Sequence, residues 1–210
     1  MTDRTRIRRL PEKAATDRAA LDAVLDAAKV AHVAFVHEGQ PVNIPVASAR
    51  DGDRLLLHGS TASRMMRSLA EGIPVCVAVT LLDGLVLARS ALEASMHYRS
   101  AMVFGRCTPV PAAEKEAALR AMSEAWMPGR WDSLRLPTKK ELAGTLVLEL
   151  PLEEWSVKLS DGDPTDLPED LDHPVWAGVL PIVTTYGDPR PAPDLRGNHP
   201  VPSYLSEWTP

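Results

Sequence analysis

Apolar side chains at Leu21, Val24, Leu25 and Ala28 recur at i, i+3, i+4 and i+7, which places them on one face of a helix starting near Thr16. The period then shortens. Residues 31–36, 42–49 and 54–58 are brief runs rich in valine and leucine, separated by His37-Glu38-Gly39-Gln40 and Arg50-Asp51-Gly52-Asp53, both good turn sequences, and they predict a β-meander. From Ser60 to Ala70 the helical period returns, with Ala62, Met65, Met66 and Leu69 on one face, Ser60 or Thr61 available as N-cap, and Gly72 just beyond the end. Residues 74–80, 85–90 and 100–110 predict three further strands, and a helix follows from Pro111 to about Trp126 with Leu119, Met122 and Trp126 on one face. A shorter helical piece at 138–143 precedes strands at 145–150 and 155–159. About six to eight strands lie too close together for repeated βαβ crossovers. The expected fold is therefore mainly β with flanking helices, closed as an antiparallel barrel.

Proline and charge divide the 210 residues near Leu159. Residues 160–210 hold 10 of the 19 prolines and carry a net charge of −7, whereas residues 1–159 carry +2. The first segment is expected to fold as one domain. The second should run as an extended acidic arm whose apolar patch, Val175, Trp176, Val179, Leu180 and Ile182, docks on the barrel or on a partner. Hydrophobic residues at 45% and charged residues at 24% are ordinary for a globular protein. A net charge of −5 argues against a nucleic-acid-binding protein, which needs a concentrated basic face. Two cysteines, Cys76 and Cys107, and no secretory apolar region after the basic start point to a reducing cytoplasm without a disulfide framework. No apolar run approaches the roughly 20 residues that span a bilayer, so no membrane association is expected.

Two stretches carry candidate chemistry. His58-Gly59-Ser60-Thr61-Ala62-Ser63-Arg64 lies where a strand ends and a helix begins, so backbone N–H groups, hydroxyls and the Arg64 guanidinium converge as a phosphate cradle would require. The same residues also describe an ordinary capped helix. Ser95-Met96-His97-Tyr98-Arg99-Ser100 offers a planar donor beside an aromatic ring, suited to an anionic aromatic ligand; equally, Arg99 can pair with a carboxylate while Tyr98 fills the core. The six histidines, at 32, 37, 58, 97, 173 and 199, lack metal-ligand spacing, so no metal site is expected. His32 reads as a core or edge residue of its strand, and Cys76 as packing. Walker, G-x-G-x-x-G and nucleophile-elbow patterns are absent from the sequence, and no catalytic residue is assigned. Trp131, Trp155 and Trp176 default to packing, except that Trp176 stands in a polar, proline-rich arm where a bulky ring must dock.

Several runs resemble the pyridoxamine 5′-phosphate oxidase-like superfamily, in its flavin-nucleotide-binding, nitroimidazole-reductase-like branch. They are residues 6–12, His58-Gly59-Ser60, the stretch Thr80 to Ser90, Tyr98-Arg99-Ser100 with Phe104-Gly105-Arg106, Pro128-Gly129-Arg130-Trp131, and Val175 to Pro181. The resemblance covers roughly residues 4–182 in the same order. It implies a split β-barrel at 1–159 forming a homodimer, with FMN at each of two sites along the interface and residues 160–210 as a C-terminal arm. It also implies that His58, Gly59, Ser60, Ser63 and Arg64 contact the phosphate and ribityl chain, and that Tyr98, Arg99 and Ser100 reach the same cofactor. Asn43, Ile44, Pro45 and Val46 would lie beside the isoalloxazine ring, with Trp176 closing the pocket. The implied activity is reduction of a small aromatic or nitro compound by NAD(P)H. The alternative is a binding protein holding haem, a deazaflavin or stored FMN, with His58 or His97 as axial ligand. Two departures from the family pattern bear on substrate and phosphate: Met65 where relatives often carry lysine, and Ala94 with His97 where the branch commonly reads His-Ser-Met-Asn-Tyr-Arg-Ser.

Overall fold

The computed structural model describes residues 2–208. In chain order the elements are β1 (Ala14–Ala15), α1 (Arg18–Ala27), β2 (Val30–His37), β3 (Gln40–Asp51), β4 (Arg54–Ser60), α2 (Arg64–Ala70), β5 (Pro74–Leu87), β6 (Ser95–Arg106), β7 (Thr108–Pro109), α3 (Lys115–Trp126), α4 (Lys139–Gly144), β8 (Thr145–Pro151), β9 (Glu154–Ser160) and β10 (Gly178–Pro181). The strands form one antiparallel sheet in the order β1-β9-β6-β5-β2-β3-β4-β8-β7, with β10 added to β5. This is the expected mainly β architecture with flanking helices.

The sheet curls because β3 changes partner along its length. Val42, Ile44 and Val46 lie in the half paired with β2, while Ser48 to Asp51 pair with β4. One side of the curl encloses the main core, in which Leu55 and Leu57 of β4, Val77 of β5, Val103 of β6 and Leu148 and Leu150 of β8 are fully buried. The apolar stripe of α1, Leu21, Val24 and Leu25, closes one opening of this core, and Met65, Met66 and Leu69 of α2 close another. On the opposite face of β4 and β8 a second, smaller core forms, where Leu56 and Val147 meet Ala118 and Met122 of α3.

Several boundaries differ from the sequence pattern for local reasons. The α1 helix starts at Arg18, two residues after the expected Thr16, because the Asp17 carboxylate accepts a hydrogen bond from Ala20 N at 2.8 Å. Ser63, not Ser60 or Thr61, caps α2; Ser60 Oγ accepts from Ala62 N instead and shapes the turn before the helix. The α3 helix begins at Lys115, four residues after Pro111. Residues 74–80 and 85–90, expected as two strands, are joined in one strand β5 that ends at Leu87, with an irregularity at Asp83 that absorbs the Asp83-Gly84 pair without a turn. Ser95 to Arg99 belong to β6 proper and do not merely lead into it.

The arm is more anchored than a purely extended tail. Residues 178–181 pair with Gly84 to Leu87 of β5, and Gly84 permits this close approach, since a Cβ there would lie 3.1 Å from the Leu180 carbonyl oxygen. Upstream, Asp166 has no exposed side-chain surface and accepts from the Arg89 amide at 2.6 Å and the Arg89 guanidinium at 2.9 Å. Burial alone would raise the Asp166 pKa, but these Arg89 donors and the Ser90 amide outweigh it and hold the carboxyl below the ordinary range.

Leu150→Ala, which empties a fully buried site in the main core, should cost roughly 2–5 kcal/mol in urea unfolding; a loss below half a kcal/mol would mean the core is not packed as described. Because the folded Asp166 pKa is depressed, its contribution is present above the unfolded value and is lost as pH falls through the folded one. Limited proteolysis within residues 161–177 should therefore increase in acid, and Asp166→Asn should show that increase already at pH 7. Equal cleavage of variant and parent at pH 7 would remove Asp166 as the latch.

Candidate functional site

A cavity of ≈570 Å³ opens on the face of β4 and β8 that α3 covers. Strand alternation builds it. Leu55, Leu57 and Gly59 face the main core, so Leu56 and His58 face α3, and His58 lies opposite Val147 in the pairing of β4 with β8. The α3 helix covers Leu56 with Met122; beyond Met122 the helix side contributes Trp126, and the segment after it folds back to supply Trp131 and Leu134 as the facing wall. Thr145 and Leu142, at the junction of α4 and β8, close one end.

Each wall is pinned by polar contacts. Trp126 Nε1 donates to the Ser48 carbonyl oxygen at 2.9 Å, where β3 changes partner. Glu124 accepts from Gly129 N at 2.7 Å and Trp131 N at 3.1 Å, which turns the chain back over the cavity. Lys115 Nζ donates to the carbonyl oxygens of Leu142 and Thr145 at 2.9 and 2.8 Å, tying the start of α3 to the end of α4. At the mouth Arg135 pairs with Glu141 at 2.7 Å. That guanidinium, with the Thr138 amide and hydroxyl of the helix cap, draws the Glu141 carboxyl down to about 2.

Within this apolar setting His58 is the sole imidazole among the lining residues. Its ring edge is open to the cavity, yet the surrounding protein removes enough water to lower its pKa below the ordinary imidazole value, so at neutral pH it is an uncharged base. Among the described residues no hydrogen bond engages its ring nitrogens. His97 differs: its Nε2 meets the Gly162 carbonyl oxygen at 2.8 Å, a contact that requires the proton on Nε2 and removes that nitrogen as a ligand. The Ser123 hydroxyl, also at the cavity, is buried without a hydrogen-bond partner.

The other residues singled out in the sequence divide into separate groups. Gly59 faces Met66 of α2, where a Cβ would come within 2.8 Å of Met66 Cγ, so it packs the helix against the strand on the side away from His58. Ser60 and Ser63 spend their hydroxyls on the turn and the cap, and Arg64 is exposed with no ion pair among the described residues. In β3, Asn43 and Pro45 are exposed, whereas Ile44 and Val46 pack on the main core. Tyr98 and Ser100 share the outer face of β6; Arg99, between them, takes the opposite direction and binds Asp83 through two contacts of 2.9 and 2.8 Å. This ion pair raises the Arg99 pKa and lowers that of Asp83.

The seven-residue cradle of the sequence reading is thus split: His58 belongs to the cavity, and the remainder belongs to the start of α2. Tyr98 and Ser100 lie on a different part of the sheet, between β5 and β9, and within one chain they do not join the α2 group. His32, read as a core or edge residue, is exposed on the outer sheet face. Trp176 is 68% exposed, with its ring against Gly178 at the start of β10. Trp131, read as packing, and Trp126, read as part of the apolar face of its helix, are cavity walls; the signal available was the co-occurrence of two tryptophans around Pro128-Gly129-Arg130. No group of His, Cys, Asp and Glu among the described residues forms a protein-only metal site, and no described helix is long and apolar enough to cross a membrane.

No curated protein matches the chain. A solved structure of the FAD and heme binding protein from Mycobacterium smegmatis is 45% identical, with a TM-score of 0.90 over 93% of this chain and 96% of that one. The flavocytochrome Anf3 from Azotobacter vinelandii is 37% identical, with a TM-score of 0.94 over 99% and 97%. A more distant structure from Bacteroides thetaiotaomicron, described provisionally as a 5-nitroimidazole antibiotic resistance protein, shares the split-barrel fold at 20% identity, with a TM-score of 0.59 over 69% and 85%. The family model described as pyridoxamine 5′-phosphate oxidase matches residues 17–159, spanning α1 to β9 and hence every fully buried residue of the two cores. With that match, and with relatives of this identity aligned along almost its whole length, the chain belongs to the pyridoxamine 5′-phosphate oxidase family.

Proposed function

We propose that this chain is a flavin- and haem-binding redox protein, with haem in the cavity beside His58 and a flavin nucleotide at a separate surface shared by two copies of the chain. The observation that carries the reading is the ≈570 Å³ cavity walled by Trp126, Trp131 and Met122 and holding one unengaged, neutral imidazole. A haem is flat and largely apolar, and its iron takes a neutral imidazole nitrogen. The residues present fit it. The tryptophans and Met122 would pack its faces and exclude water, His58 would hold the iron, and Arg135 at the mouth is the cation available to an acidic substituent. The descriptions of the two most similar structures reported above, one FAD- and heme-binding and one a flavocytochrome, support the same reading.

The flavin belongs elsewhere because His58 is committed to the cavity. Asn43, Pro45, Thr80, Tyr98 and Ser100 present polar and aromatic atoms on the outer face of the larger sheet part, and Arg64 is an exposed cation on α2. The same outer face exposes Val36, Leu82 and Met102, apolar surface that a second copy of the chain would cover. In such a homodimer Arg64 of one copy would hold the flavin phosphate while Tyr98 and Ser100 of the other flank the ring, and Trp176 on the arm would cover it. FMN and FAD share the ring and this first phosphate, and FAD is the form named for the 45%-identical relative. Bound flavin supplies hydride acceptance from NAD(P)H and haem supplies one-electron exchange. The acceptor class we assign is a small aromatic or nitro compound.

Two outcomes are expected. The protein as isolated should show both flavin absorption and a Soret band, and His58→Ala should lose the Soret band while keeping flavin; an unchanged Soret band would remove His58 as the ligand. Arg64→Ala should weaken flavin binding by roughly tenfold or more, measured by quenching of flavin fluorescence, since a charge-assisted hydrogen bond contributes about 1.5–3 kcal/mol. An unaltered affinity would mean that Arg64 does not meet the phosphate.

A further inference from the structure

The cavity wall from Met127 to Trp131 is held on its inner side by Glu124, as described above. Its outer side is held by the far end of the chain. Trp208 Nε1 donates to the Pro128 carbonyl oxygen at 2.9 Å, and the Arg130 guanidinium donates to the Tyr204 hydroxyl at 3.1 Å. The Tyr204 and Trp208 rings stack with centroids 5.8 Å apart, and Tyr186 meets the edge of Trp208 at 6.2 Å. Between these contacts lies Gly129, with φ of +76° and the Tyr204 ring 3.7 Å from the position of a Cβ. Glycine is favoured there because the backbone adopts a left-handed conformation. Trp126 lines the main cavity and also a second, aromatic-rimmed groove of ≈420 Å³ bounded by Tyr186, Tyr204 and Trp208, so one ring separates the C-terminal cluster from the proposed haem site.

We infer that Tyr204 and Trp208 are positioning residues: together they clasp the Pro128-Gly129-Arg130 turn from outside and thereby hold Trp131 and Met127 against whatever occupies the His58 cavity. The turn has no strand or α-helix of its own, only the backbone bond from Arg130 N to the Met127 carbonyl oxygen at 3.0 Å and the 3-10 turn Trp131–Ser133, so its placement over the cavity depends on side-chain contacts from both sides. Glu124 alone fixes two amides. The clasp fixes the intervening carbonyl and guanidinium, and it does so with residues more than 70 positions away in sequence. This gives the acidic arm a role at its end that its beginning, latched at Asp166, does not have.

The inference rests on the haem reading for its functional meaning, and the test separates the two. The full-length double variant Tyr204→Ala/Trp208→Ala would be compared with the parent and with Trp208→Phe, which keeps an aromatic ring and loses the N–H donor. In the haem-free protein, hydrogen exchange at the Gly129 and Trp131 amides should be at least about tenfold faster in the double variant, the effect expected from losing two hydrogen bonds and a stacked pair. Amides of the main core, such as those of β8, should be unaffected. With haemin bound, release to an excess of haem-free globin should be faster by a similar factor, and Trp208→Phe should fall between. If the parent takes up no haemin but the exchange pattern changes as stated, the haem reading fails and the clasp stands. Unchanged exchange at both amides overturns the clasp, and so does unchanged haemin release from a folded double variant.

Discussion

The two-residue alternation of β4 is the constraint from which the site follows. Leu55 and Leu57 must face the main core, where both are fully buried, and that requirement sends Leu56 and His58 to the other side. Leu56 is itself fully buried, so the second face also has to be covered. The α3 helix covers it with Ala118 and Met122, and the space left beside His58 is walled by Trp126 of the same helix and by the return of the chain through Trp131 and Leu134. Two buried faces and a helix that covers only part of the second leave an apolar chamber with a single base in its wall.

Much of the fold was legible because most elements obey a clean period. The 3.6-residue spacing of Leu21, Val24 and Leu25 and the turn sequences at 37–40 and 50–53 located α1 and the β2–β3–β4 meander to within a few residues. The continuity of β5 was not legible, since Asp83-Gly84 is a strong turn signal and only the Arg99 ion pair and the approach of β10 show why the chain stays extended there. The site was legible in its parts and not in their grouping. His58, Arg64, Tyr98 and Ser100 were singled out from local chemistry and from the family resemblance, but a stretch such as residues 58–64 has no period from which to tell that its first residue faces away from the rest. The role of Trp131 depends on Glu124, Tyr204 and Trp208, contacts that span up to 80 residues and leave no local trace.

The arrangement also separates two kinds of surface. The cavity is mostly apolar, open at one side, and lined by residues of one chain. The outer sheet face with Asn43, Pro45, Tyr98 and Ser100 is broad and open, and within one chain Arg64 on α2 lies apart from it; the proposed second copy is what would bring the two together. The cavity and the outer face lie on different parts of the sheet, so the proposed haem and flavin sites make no use of the same side chains. The ion pairs fit this division: Arg99 with Asp83 stiffens β5 against β6 beneath the open face, and Arg135 with Glu141 borders the cavity.

The measurement that tests the central claim most directly is a crystal structure of the protein as isolated. It should contain iron bonded to the His58 imidazole, with the porphyrin between Trp126 and Trp131 and the flavin outside this chamber. A flavin ring lying in the His58 cavity would contradict it.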